Sequence, residues 1–173
     1  MYKLSKAPLL SATQIDKRVE SLALELKACD FDVILSALTG SYMFTADISR
    51  RMARPDLKIA FIRASSYGNQ TESSGKVKIS GLETKDIKGK RVLIIDDILD
   101  TGNTMLALIQ AIKEYSPKSV KTCVLLNKES RRVVDCHADF VGFEIEDKFV
   151  VGYGLDFAGD YRTLPEIWTL EEI

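Results

Sequence analysis

The sequence predicts an α/β fold, a twisted and mostly parallel sheet flanked by helices. Two observations carry the prediction: short apolar, β-branched runs alternate with segments of helical period, and the last third turns strand-rich and short of helix. Strands alternating with helices at such spacings build a parallel sheet covered on both faces. The 173 residues, 46% hydrophobic and 28% charged, read as a single domain over 1–173 with core enough to fold without disulfides or a structural metal.

Each element has its own signal. Ile15, Val19, Leu22, Ala23 and Leu26 recur at helical period, with Ser11 or Thr13 available as N-cap. Val33–Leu35 is a short buried strand that ends at Thr39-Gly40-Ser41 and is followed by a helical segment through Arg50. Leu57–Ile62 is a second strand. The stretch from Ser65 to Gly75 is small, polar and aperiodic, which predicts a lid-like loop. Arg91–Ile95 is a further buried strand, and Met105, Leu108, Ile109 and Ile112 mark a helix that stops before Pro117. Val120–Leu126 is the next strand. A smaller β element occupies Ala138 to Tyr153.

Composition excludes several function classes. A net charge of -1 and a pI of about 5.9 give no global attraction for nucleic acid or a membrane surface. Cys29, Cys123 and Cys136 are odd in number and lack CxxC spacing, which points to a reducing compartment. With no signal peptide or membrane-spanning run, the expected location is the cytoplasm. No GxxxxGK[ST] and no GxGxxG after a strand is present. His137 beside Cys136 has no further ligand spacing and reads as structural.

The chemistry concentrates between Val92 and Thr104. An apolar strand runs into Asp96 and Asp97, then through Asp100 into Thr101-Gly102-Asn103-Thr104, where the next helix opens. In open α/β sheets ligands sit beyond the carboxyl ends of strands. Backbone N–H groups at a helix N-terminus suit a phosphate, and Gly102 lets the backbone approach it. Carboxylates beside such a cradle accept from sugar hydroxyls or hold Mg²⁺. A ribose 5-phosphate meets both requirements. Asp100 or Thr101 as a mere N-cap is the bland alternative.

The segment resembles the phosphoribosyl pyrophosphate motif of type I phosphoribosyltransferases. Asp139 to Asp156, with Lys148-Phe149-Val150 at its centre, resembles the base-binding region of hypoxanthine-guanine phosphoribosyltransferases, and Ser65-Ser66-Tyr67-Gly68 resembles that family's catalytic loop. The resemblance implies a core sheet with a small C-terminal β-rich hood, a base-binding element over about 139–162 and a lid over about 65–75. It also implies Mg²⁺-dependent transfer of phosphoribosyl from phosphoribosyl pyrophosphate to hypoxanthine and/or guanine, with release of pyrophosphate. Family members form dimers and tetramers, so a homodimer or homotetramer is expected.

Roles follow from the same resemblance. Asp100 matches the acid/base aspartate, Asp96 and Asp97 the ribose- and metal-facing pair, and Thr101, Gly102, Asn103 and Thr104 the 5′-phosphate cradle. Neighbours on a strand point to opposite faces, so one of the two adjacent acids is expected to contact the ligand and the other to support it. Lys128 matches the donor to the 6-oxo group, since an ammonium suits a carbonyl and opposes an amine. Lys148, Phe149 and Val150 match base-contacting residues, Asp156 a further metal-facing acid, and Arg162, Thr39 and Gly40 pyrophosphate contacts in a loop that often holds a cis peptide. Ser66 and Tyr67 match lid residues. Two departures stand out: Thr39 replaces the usual lysine, and Asp96 stands where many members carry Glu. A regulator that keeps the fold and only senses nucleotide is the alternative, disfavoured by the retained Asp100 and Lys128.

Overall fold

The computed structural model describes residues 2–66, 77–80 and 84–172. In chain order these are β1 (Tyr2–Leu4), α1 (Ala12–Lys27), β2 (Val33–Ala37), α2 (Tyr42–Met52), β3 (Lys58–Ser66), β4 (Val77–Ser80) and α3 (Thr84–Ile87). Then follow β5 (Arg91–Leu99), α4 (Asn103–Lys113), β6 (Ser119–Asn127), a 3₁₀ turn (Glu129–Arg131), β7 (Phe140–Glu144), β8 (Val150–Val151) and β9 (Trp168–Glu172).

Six strands form the main sheet in the order β4-β3-β2-β5-β6-β7, all parallel except β4, which runs antiparallel to β3. The alternation of buried residues follows the strand period. Ile34, Leu93, Ile95, Cys123 and Leu125 face α1 and α2. Val33, Leu35, Val92, Ile94 and Val124 face α4 and Ile87. Both faces are therefore covered, as parallel sheets require.

Helix α1 shows why local sequence suffices for some elements. Ser11 caps it by accepting from the Gln14 N–H while the Gln14 side chain accepts from the Ser11 N–H, a reciprocal box that satisfies two free donors. Its five buried residues are those of the predicted stripe.

The structure adds detail to three expectations. The β element placed over about 139–162 divides between two sheets: β7 completes the main sheet, whereas β8 joins a three-stranded sheet of order β1-β9-β8. That hood therefore also draws on the N-terminal strand, which pairs antiparallel with β9. Ser65 and Ser66, at the start of the expected lid, pair with Lys78 and Val77 across β3 and β4. Tyr67 and the rest of the expected lid up to residue 75 lie outside the described residues.

Candidate active site

The strand order reverses direction between β2 and β5, the point at which an open α/β sheet parts its connections. The chain leaves β2 toward α2 on one face and leaves β5 toward α4 on the other. A cavity of about 280 Å³ opens there, lined by residues 37–40 from the first loop and by 96–102, Thr104 and Met105 from the second. A second cavity of about 210 Å³ is lined by Lys128, Phe149, Val150, Leu155 and Asp156, and the two share Asp97, Ile98 and Asp100.

The first cavity rests on tight backbone approaches. A Cβ placed on Gly40 would lie 1.5 Å from Asp97 Oδ2, so only glycine allows that carboxylate its position. The Leu38–Thr39 peptide in the same loop is cis. Gly102 adopts φ 89° and serves as N-cap of α4 without any side-chain cap bond. The N-cap position thus falls to Gly102 rather than to Asp100 or Thr101, although the Thr101 hydroxyl accepts from the Asn103 N–H at 3.5 Å. Asn103 starts α4 but does not line the cavity.

Asp96 and Asp97 both line this cavity, although neighbours on a regular strand point to opposite faces. Asp97 N–H donates to Asp96 Oδ1 at 3.0 Å and Ile98 N–H donates to Asp97 Oδ1 at 2.8 Å, so both carboxylates turn back along the strand end. Burial, and then the neighbouring Asp97 charge, holds the Asp96 carboxyl well above the usual carboxylate range. Burial also raises Asp97, against the opposing hydrogen bonds with Asp96 and the Ile98 N–H. Two crowded acids of this kind favour a bound cation or a donor-rich ligand.

The second cavity combines an apolar wall with one buried cation. Lys128, only 6% exposed, follows the end of β6 and is fixed by its N–H donating to Leu99 O at 2.9 Å. Phe149 is 53% exposed, and its ring stands edge-on to Phe157 at 5.6 Å, which in turn meets Tyr2 of β1 at 4.9 Å. An exposed aromatic face braced from behind is suited to stacking on a flat ring. Val150 is buried and pairs with Thr169. Asp156 lines the cavity but is committed to Arg162, 2.7 Å away, and that arginine also donates to Gly154 O at 2.6 Å. Lys148 does not line the cavity, and its ammonium pairs with Glu146 at 2.9 Å.

Sequence reasoning missed the support behind Asp100. Arg132, whose side chain is 8% exposed, donates to the Asp100 carbonyl and to Asn127 Oδ1, while Val133 N–H donates to Thr101 O at 3.1 Å. Asn127 is itself held by Glu144 at 2.9 Å. The segment after β6 thus clamps the turn that carries Asp100. The Arg131-Arg132 doublet three residues beyond Lys128 was the available signal.

Residues 9–158 match the phosphoribosyl transferase domain family, the class that this sheet order and cleft define. A hypoxanthine-guanine phosphoribosyltransferase of Aquifex aeolicus is 44% identical over 168 residues, covering 95% of this chain and 94% of the relative. One from Bacillus subtilis is 42% identical over 166 residues, covering 94% of this chain and 92% of the relative. Among solved structures, a hypoxanthine-guanine phosphoribosyltransferase of Bacillus anthracis superposes with a TM-score of 0.85 at 43% identity, covering 95% of this chain and 98% of that one. The chain belongs to the hypoxanthine-guanine phosphoribosyltransferase family and is an enzyme of that type.

Proposed function

We propose that this enzyme salvages purines in the cytoplasm, as a homodimer or homotetramer, by moving the 5-phosphoribosyl group of phosphoribosyl pyrophosphate onto hypoxanthine and/or guanine. The products are IMP or GMP and pyrophosphate. One observation carries the reading: the cavity lined by the Thr101-Gly102 turn and the cavity lined by Lys128 and Phe149 share Asp97, Ile98 and Asp100, so a sugar lying over these residues reaches both. The relatives named above support it through the reaction in their names.

In this reading the backbone donors of Thr101 to Thr104 hold the 5′-phosphate. Asp96 and Asp97 face the ribose hydroxyls, and residues 39–40 with Arg162 face the pyrophosphate. Phe149 stacks on the base and Lys128 donates to its 6-oxo group, leaving adenine's amine without a partner. The imidazole nitrogen of the base forms its bond to the sugar C1′ as the bond to pyrophosphate breaks, and Asp100 takes the nitrogen's proton. Negative carboxylates around the sugar stabilise the positive charge that develops there. Ser66 and Tyr67 act as lid residues that exclude water.

Mg²⁺ fits the donor set. Asp96 and Asp97 are acids raised by burial, so a cation between them and a diphosphate relieves their crowding. Magnesium needs only one or two protein carboxylates when substrate oxygens and waters complete its shell. When bound, the ion neutralises the diphosphate leaving group. Asp156 already meets Arg162 through Oδ1 and the Gly159 N–H through Oδ2, and a carboxylate keeps further lone pairs for a metal. The test is nucleotide formation from hypoxanthine, guanine and adenine with phosphoribosyl pyrophosphate, with and without Mg²⁺. Product from a 6-oxopurine only with the metal is expected, and a preference for adenine would overturn the role of Lys128.

A further inference from the structure

Asp100 does not stand alone at the mouth of the base cavity. Arg131, in the 3₁₀ turn after Lys128, bridges two carboxylates: its Nε lies 3.2 Å from Asp100 Oδ1 and its Nη1 3.4 Å from Asp147 Oδ2. Lys128 Nζ faces the opposite oxygens, 3.9 Å from Asp100 Oδ2 and 3.9 Å from Asp147 Oδ1. The two cations and two anions form a closed quartet. Only the Arg131 contacts are of hydrogen-bond length. Among the described residues the Lys128 ammonium has no partner that close, although it is buried.

A buried ammonium between two carboxylates ordinarily closes on one of them, because the pair offsets part of its desolvation. Such a charge-assisted bond is roughly twice as strong as one to a neutral carbonyl. A lysine so committed offers less to the oxygen of an incoming base. We propose that Arg131 is a positioning residue: by holding one oxygen of Asp100 and one of Asp147, it keeps Lys128 from closing on either and leaves its donors free for the base. The inference rests on the reading of Lys128 as the donor to the 6-oxo group. Asp147, which no motif singled out, becomes the second anchor of the device. The same grip leaves Asp100 Oδ2, the oxygen facing Lys128, turned toward the base cavity.

The Arg131 side chain is 47% exposed, so its replacement opens no core. In steady-state assays of the full chain, Arg131→Ala is expected to raise the KM for hypoxanthine or guanine about tenfold, the scale of one lost hydrogen bond to a charged donor. The KM for phosphoribosyl pyrophosphate should stay within about twofold, as for a surface change away from its site. Adding Asp147→Asn to Arg131→Ala removes one competing carboxylate and is expected to restore most of the base KM, which a merely structural role would not do. An unchanged base KM in the single variant, or a double variant no better than the single, overturns the inference and leaves the reading of the site intact. A wild-type protein that makes no nucleotide from any 6-oxopurine overturns both.

Discussion

At the scale of single residues, the site depends on a few atoms that have no room to move. Gly40 is the sharpest case, because any side chain there meets the Asp97 carboxylate before it meets anything else. That obstacle is the end of a side chain, so Gly40→Ala should fold and displace Asp97. We expect affinity for phosphoribosyl pyrophosphate, measured by calorimetry, to fall at least about tenfold, a loss of about 1.4 kcal/mol, with a melting temperature near that of the parent. Arg132 contrasts with it. Its guanidinium ties the Asp100 carbonyl to Asn127 from a buried position, so Arg132→Met leaves buried acceptors unpaired. A loss of about 2–3 kcal/mol in denaturant unfolding is expected, together with lower turnover.

Asp96, Asp97 and Asp100 were legible in the sequence because the strand, the acids and the glycine turn are contiguous and each signal is local. Arg131, Arg132 and Asp147 were not, since their partners lie 31, 32 and 16 residues away in the chain and only folding brings them together. The pairing of Lys148 with Glu146 was not legible for a related reason: proximity to Phe149 in sequence does not fix where a long, exposed side chain finds its counter-charge.

At the scale of elements, periodicity and capping decided what could be read. Helix α1 carries both signals, and its stripe and cap agree with the sequence. Ser11→Ala breaks the reciprocal box and is expected to cost about 1 kcal/mol in equilibrium unfolding. Strand β5 runs to Leu99, four residues past the predicted end, because polar Asp96 still pairs with Val124 and the ladder to β6 goes on through Ile98 and Leu99. Polarity at a ligand-binding strand end hides the strand. Three-residue β1 offers no alternation to detect, and its partner β9 lies at the other end of the chain. Its contribution is visible only in three dimensions, where Tyr2 backs Phe157 and Phe157 backs Phe149.

At the scale of the whole molecule, the two ends of the sheet have different tasks. The carboxyl end of β5 holds crowded, raised acids beside the loop that follows β2, whereas the opposite ends of the two strands are fastened. There Asp32 accepts from the Arg91 N–H at 2.7 Å and from its guanidinium at 2.7 and 3.0 Å. The Arg91 guanidinium, followed by the Arg91 N–H, holds the Asp32 carboxyl far below the usual range. A depressed folded-state value contributes stability that is complete above the unfolded value of about 3.9 and is lost as pH falls through the folded one. Thermal unfolding between pH 7 and pH 3 should therefore show an acid-side decline that is shallower in Asp32→Asn, with that variant already less stable at neutral pH.

The central claim is that the segment from Val92 to Thr104 carries the chemistry, with Asp100 as the group that takes the proton. Its most direct test is turnover of purified Asp100→Asn at saturating phosphoribosyl pyrophosphate, Mg²⁺ and 6-oxopurine, beside the wild-type enzyme. A drop of about a hundredfold or more, with the melting temperature unchanged, is the predicted result. Near-normal turnover in the folded variant would contradict the claim.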